Sequence, residues 1–412
     1  MQQTSSKRWV ILFVIILGQT LGNFSNLIFS ARSIDVMAQF HMVESQLAVI
    51  TTVGILPALL LSIVIGNLMD RKGMKGIISI GLGITAVFMI WRIWADSFMM
   101  LLIITIVIGI VGLPFQIGAA KMLGVWFPKK EMPLAVGFFG AAAGLGTTLA
   151  FFLGNIFPSF TFSLTVIGVV SVAVLALWVL FAQDRNVAGT GEEVAAPPKP
   201  PKNALILVLK SPSVWKITII SGLAIGTALL INIYMVMALS IQKGMTPQEA
   251  GLATGLLNIC LLLGSTTWSI VVRRIALINI PHAVACIGGG VLYACAWFLP
   301  FGVQTFVLIA LAGIIVSGSI GINTTRVPLL PLAKEFGMEC VATANGVNNT
   351  GIGILAFLTP TVVSMIAGGN FNLVFIINTV ICIAIGLLSL SIPELGEKGK
   401  LAKQARDEAA EK

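Results

Sequence analysis

Long uncharged apolar runs recur along the chain, parted by short polar joints. Residues 9–31, 45–69, 76–95 and 97–120 make the first four, with Arg92 near the end of the third. A helix crosses the hydrocarbon of a bilayer with about 20 apolar residues, so each predicts one membrane-spanning helix. The run 132–183 is too long for one span. It breaks at Asn155-Ile156-Phe157-Pro158-Ser159, giving the fifth and sixth. Residues 217–242 and 250–272 make the seventh and eighth. The double-length run 275–325 breaks near Pro300-Phe301-Gly302, and 340–393 breaks at Gly368-Gly369-Asn370. The pattern predicts twelve spans. The first, preceded by a short polar start and no clear small-residue cleavage site, reads as a retained helix.

Between the sixth and seventh spans lies the polar, proline-rich stretch 184–212, with Ala195-Ala196-Pro197-Pro198-Lys199-Pro200-Pro201-Lys202. It reads as a flexible linker. The expected organisation is a six-helix bundle over 1–183, a linker over 184–212, a second six-helix bundle over 213–393 and a tail over 394–412.

Composition agrees with lipid as the solvent. Hydrophobic residues make up 57% and charged residues 10% of the 412, against roughly 25% charged in soluble domains. The net charge of +9 does not point to nucleic acid, because the basic residues lie between apolar runs rather than in a patch. Apart from Arg32, Arg92 and Lys243, every Lys and Arg falls in or beside the segments on the side of the N-terminus. The positive-inside rule then places both termini and the linker in the cytoplasm. The five cysteines show no metal-ligand spacing and read as small buried apolar residues.

Polar residues inside spans are the best pointers to a transport path. The first span carries Gln19, Asn23 and Asn26, spaced to share a helix face. The tenth carries Ser319, Asn323 and Arg326 with similar spacing, and the eleventh carries Asn345, Asn348 and Asn349. Gln116, Asn232 and Asn258 stand alone in the fourth, seventh and eighth spans. Such groups serve either a solute or interhelical hydrogen bonds. Arg326 is either a two-pronged carboxylate ligand or a residue snorkelling to the interface. Lys121 lies closer to water, and Arg32 is at best a gate candidate. No Asp or Glu lies mid-span, so no buried carboxylate proton carrier is evident. The two histidines, His41 and His282, make no metal cluster, and there is no P-loop lysine.

The loop after the second span reads Gly66-Asn67-Leu68-Met69-Asp70-Arg71-Lys72-Gly73-Met74-Lys75-Gly76. It resembles the signature loop of the major facilitator superfamily, G-x-L-x-D-R-x-G-x-K, at the place where that family has it. The resemblance implies an all-α membrane fold of two pseudo-symmetric six-helix bundles flanking a central cavity. It also implies a conformational latch at Gly66, Asp70, Arg71, Gly73 and Lys75. The matching loop of the second half, Val272-Arg273-Arg274-Ile275-Ala276, has no acid and no glycine. A narrower resemblance joins Trp126-Phe127-Pro128-Lys129-Lys130-Glu131, the following Gly137, Gly140, Gly144 and Gly146, and Leu209-Lys210-Ser211-Pro212-Ser213-Val214-Trp215 to the oxalate/formate and monocarboxylate carriers. Such carriers commonly place a cation in the eighth or eleventh span, and here neither holds Arg or Lys. Gly137, Gly140 and Gly144 are expected to let helices pack closely and slide.

The expected function is secondary or facilitative transport of a small solute by alternating access in the inner cell membrane. An organic anion such as a monocarboxylate is the first candidate, because cavity cations without cavity acids favour negative solutes. The alternative is export of amphipathic compounds. The candidate solute contacts are Gln19, Asn23, Asn26, Gln116, Asn232, Asn258, Asn323, Arg326 and Asn348. An enzyme is not expected, since no nucleophile–base pair or metal set stands out. No cofactor, metal or nucleic acid is expected. The expected partners are the small solute and the bilayer, with room for a coupling ion, and the expected state is a monomer.

Overall fold

The computed structural model describes residues 4–128, 131–182, 201, 204–323, 326–333 and 336–396. Among these the chain is helical throughout. In order come α1 (Thr4–Ala31), α2 (Ser33–Phe40), α3 (Glu44–Thr52), α4 (Leu56–Lys72), α5 (Met74–Trp91), α6 (Phe98–Trp126), α7 (Met132–Gly154) and α8 (Phe160–Phe181). Then follow α9 (Ala204–Lys210), α10 (Pro212–Lys243), α11 (Pro247–Ile275), α12 (Asn279–Phe298), α13 (Val303–Gly321), α14 (Arg326–Leu329), α15 (Val341–Ala367) and α16 (Phe371–Leu390). Twelve segments among the described residues are long and apolar enough to cross a membrane.

The predicted breaks between spans are real ends, each with a local cause. α7 stops at Gly154 before Pro158, and Ser159 caps α8 by accepting from Phe162 N at 3.0 Å. α15 stops at Ala367 because Gly368 and Gly369 take positive φ, and Asn370 caps α16. The span predicted over 45–69 is a helical path that tightens part-way. It is α3, a 3-10 turn at Val53–Ile55 and α4, with Pro57 in the first turn of α4, where its missing N–H costs nothing.

The chain divides into two compact units. One holds Met1–Glu193 with Asn232–Gly255, and the other holds Val194–Ile231 with Leu256–Lys412. Helices α10 and α11 therefore each contribute to both. The segment 232–255 joins the first unit through α7. Asn155 Nδ2 donates to Pro247 O at 2.9 Å, and Gly251 backs onto Phe151 O.

In the first unit α1 packs on α7 and α8, and α5 packs on α6 and α8. Its interior centres on Ile11, Ile15, Met69, Ile78, Met122 and Trp178. Gly18 of α1 receives the Phe115 ring of α6, and Gly109 of α6 backs onto Gly54. Without water to drive association, such close approaches supply the dispersion contact that holds membrane helices together. Gly146, and not the expected Gly137 and Gly140, makes the tight contact of α7 with α1. A Cβ on Gly146 would lie 2.9 Å from Asn23 Cβ, whereas Gly137 and Gly140 are exposed with nothing within 4 Å. Nine residues at about 100° each put 137 and 146 on opposite sides of α7.

In the second unit α12 packs on α13 and α16, and α15 packs on α9, α14 and α16. Gly289 and Gly290 of α12 abut Val316 and Cys382. Residues 204–210, counted in the expected linker, form α9, and its Ala204 and Val208 belong to this unit's core. Both units expose large apolar side chains along their spans, Leu60, Leu180 and Val303 among them, as a lipid-facing surface requires.

Candidate functional site

Gln19, Asn23 and Asn26 lie half-buried on α1. The neighbours of α1 explain why this stripe stays open. Gly18 meets α6, while Thr20 Oγ1 donates to Ala142 O of α7 at 3.2 Å. Gly18 and Thr20 are about 200° apart around the helix, and Gln19, Gly22, Asn23 and Asn26 fall in the sector between them. Asn23 Nδ2 donates to Gln19 O at 3.0 Å along the stripe. On α6, Gln116 is exposed beside the buried Phe115. The first unit thus offers an uncharged amide surface.

Arg32 and Arg92 are engaged elsewhere. Arg32 pairs with Asp35 and donates to Gly154 O at 2.9 Å and Phe157 O at 2.7 Å, closing the C-terminal end of α7. A cation at that end also meets the negative pole of the helix dipole. Arg92 is only 3% exposed. It donates to Ser25 Oγ at 3.1 Å and Thr105 Oγ1 at 3.2 Å, and its guanidinium lies 4.9 Å from the Phe29 ring centroid. The sequence placed Arg92 only at the outer side. Its partners Ser25, Phe29 and Thr105 come from α1 and α6, which the spacing around Arg92 does not reveal.

In the second unit the expected stripe Ser319–Asn323–Arg326 is not one helix face. α13 ends at Gly321, and Arg326 opens the separate α14. Pro328 and Pro331 each lack the N–H that a continuous helix would use. Arg326 is fully buried. Nη1 donates to Asn323 Oδ1 at 3.0 Å, and Nη2 donates to Asn279 Oδ1 at 3.1 Å and Ser389 Oγ at 2.6 Å. Asn323 in turn donates to Ser221 Oγ of α10. A guanidinium keeps its charge at neutral pH. The expected open cation is thus the centre of an intra-unit network, neither snorkelling nor facing a solute in this conformation. Beside it, Glu394 accepts from Ile278 N at 2.8 Å and Asn279 N at 3.1 Å, capping α12, while His282 Nε2 donates to Ser319 O at 3.0 Å. A cavity of about one water's size adjoins this network, lined in part by Thr227, Cys286, Tyr293, Ser319 and Cys382.

The three asparagines of α15 fall within about 100° of one another, but they are not equally open. Asn348 is buried and accepts from Thr218 Oγ1 at 3.2 Å, whereas Asn349 and Thr350 are exposed and Asn345 is half-buried. Asn345, Gly346, Asn349 and Thr350 span a sector of about 140°, and Asn348 lies about 60° outside it. Asn349, noted in the sequence but left out of the candidate solute contacts in favour of Asn348, is therefore an accessible polar residue, and so is Thr350, which the sequence did not single out. Asn232 and Asn258 are buried, one in each unit.

The loop after α4 turns at Gly73, whose φ of 86° suits only glycine among common residues. Gly66 has nothing within 4 Å of an added Cβ among the described residues. Lys75 is half-buried. The side chains of Asp70 and Arg71 lie outside the described residues. Among the described residues no His, Cys, Asp and Glu set could hold a metal.

Residues 9–333 match the sequence profile of the Major Facilitator Superfamily. The chain belongs to this superfamily. It is similar to a probable nitrate/nitrite antiporter of Thermus thermophilus, 30% identical over 146 residues, covering 35% of this chain and 32% of that protein. It is also similar to a nitrate/nitrite transporter of a Picosynechococcus species, 31% identical over 118 residues, covering 29% and 22%. The chain thus spans about a third or less of the curated relatives it matches. A bacterial homologue of the human lysosomal transporter Spinster, in an inward-facing and unoccupied conformation, superposes with a TM-score of 0.78 at 14% identity, over 97% of both chains. The nucleoside transporter NupG superposes with a TM-score of 0.75 at 12% identity, over 94% of this chain and 99% of that one. The two structural likenesses show the fold alone; with the superfamily match and the twelve candidate spans, the chain is a multi-pass membrane transporter.

Proposed function

We propose that this superfamily member moves a small anion by alternating access, with an organic carboxylate as first candidate. The observation that carries the reading is the charge inside the helices. Arg92 and Arg326 are buried and hydrogen-bonded to neutral groups. Among the described residues of the twelve spans, the only acids are Glu44 and Glu249, at span ends, and Glu394, beside Arg326 and outside the spans, is taken up by the backbone N–H groups of Ile278 and Asn279. An interior with fixed cations and no mid-span carboxylate attracts negative solutes through its field. The matched relatives are named for nitrate and nitrite, which carry the same sign. The amides of Gln19, Asn23, Asn26 and Gln116 in the first unit, and separately those of Asn345 and Asn349 in the second, would supply neutral contacts. The test is uptake by proteoliposomes, where a labelled small carboxylate should accumulate and an uncharged amphiphile should not.

One observation favours a second reading. Both buried arginines are covered by their own unit, which leaves the open amide faces uncharged. Export of neutral amphipathic compounds suits that surface, and the same uptake assay separates the two.

The loop at Gly66, Asp70, Arg71, Gly73 and Lys75 is proposed as a conformational latch, on its match to the superfamily's signature. Asp70→Asn removes a charge with little change of volume. It should slow uptake by about fivefold or more, the scale of a typical coupling energy, while the protein still reaches the membrane. Wild-type uptake by this variant would remove the latch role.

A further inference from the structure

Helix α9 has seven residues, too few to cross a bilayer. Only Ser211 separates it from α10, a full membrane span, and Ser211 Oγ caps α10 by accepting from Val214 N at 3.2 Å. The short helix is therefore held at the membrane end of that span. Ala204 and Val208 turn into the unit's core, where α9 lies on α15 and on the 3-10 turn Met338–Cys340. Up to Lys210 the rest of α9 is also apolar, and Leu205, Ile206 and Leu209 are exposed at 53%, 57% and 41%. Trp215 is exposed as well, and its Nε1 donates to Leu209 O at 2.8 Å, which fixes the indole across the end of α9. Lys210 is exposed, and Lys216 donates to Ser391 O at 3.1 Å with one of its three ammonium hydrogens. From 204 to 216 there is no acidic residue.

An exposed apolar strip, an indole and two lysines on a segment without an acid, with Glu339 of the turn under α9 the one acid beside it among the elements α9 rests on, describe a surface for the interfacial zone of a bilayer whose headgroups are negative. We propose that α9, with Lys210, Trp215 and Lys216, binds acidic phospholipid at the leaflet facing the linker. The apolar strip enters the acyl boundary and the ammonium groups meet headgroup phosphates. Because α9 rests on the start of α15, which carries Asn345, Asn349 and Thr350, lipid bound there bears on the open polar face of the second unit.

The experiment uses the full-length protein, exchanged into detergent with equimolar phosphatidylglycerol and phosphatidylcholine and examined by native mass spectrometry. Wild type should retain phosphatidylglycerol preferentially. Each lysine near such a surface is worth about fivefold in affinity, so Lys210→Gln with Lys216→Gln should cut the preference by about tenfold or more. Lys210→Arg with Lys216→Arg should keep it, which separates charge from loss of fold. The preference should also fall as salt is raised. No preference in wild type, an unchanged preference in the glutamine variant, or protection of α9 from hydrogen exchange only by a soluble protein partner would each overturn the proposal.

Discussion

Replacing Arg326 by Ala should lower the thermal midpoint of the purified protein steeply, by far more than any surface substitution. The guanidinium joins Asn323, Asn279 on α12 and Ser389 on α16. Its removal leaves Asn279 Oδ1, Asn323 Oδ1 and Ser389 Oγ without their donor in a buried site. An orphaned buried acceptor costs about 1–3 kcal/mol, and the vacated volume adds a cavity. A total destabilisation of about 3 kcal/mol or more is expected. Arg326→Lys should recover only part of it, because an ammonium cannot reproduce the planar fork that reaches three acceptors. Thermal unfolding in detergent measures this. A wild-type midpoint for Arg326→Ala would mean that the guanidinium is free, as a direct solute ligand would be.

The second large effect is expected at Gly146. A Cβ there would collide with the Thr20 carbonyl and lie 2.9 Å from Asn23 Cβ. Backbone cannot rotate aside, so Gly146→Val should push α7 off α1 at a cost of about 1–3 kcal/mol or more and sharply reduce the yield of monodisperse protein. Gly137→Ala and Gly140→Ala meet open space. They should be neutral or stabilising by up to about 1 kcal/mol, the difference in helix propensity. Size-exclusion profiles and thermal midpoints of the three variants decide the matter. Equal behaviour of all three would contradict the packing described for α7.

Much of the architecture was legible because hydrocarbon imposes a simple rule. A span must be long, apolar and closed by a polar or helix-breaking joint, and Pro158, Pro300 and Gly368-Gly369 sit at such joints. The faces of those helices were not legible. Several are apolar around their whole circumference, so periodicity cannot say which side meets a neighbour. Gly146 and Gly137 look alike in sequence, yet one touches Thr20 and the other touches nothing. Asn348 and Asn349 are adjacent, and one is buried on Thr218 while the other is open. Arg326 misled for a different reason. Its spacing from Asn323 fits a continuous helix, but α13 ends at Gly321 and the chain turns the guanidinium inward. Helix α9 was hidden in a stretch whose proline content dominates, although Ala204–Lys210 itself holds no proline.

The central claim is that the transported solute is a small anion. The most direct measurement is counterflow in proteoliposomes loaded with unlabelled candidate and diluted into labelled candidate. Small carboxylates, nitrate, uncharged amphiphiles and cationic amphiphiles should be compared at matched concentration. The account predicts transient accumulation of at least one small anion above protein-free vesicles, with no accumulation of neutral or cationic amphiphiles. Accumulation of neutral or cationic amphiphiles, with every anion at the level of protein-free vesicles, would contradict it.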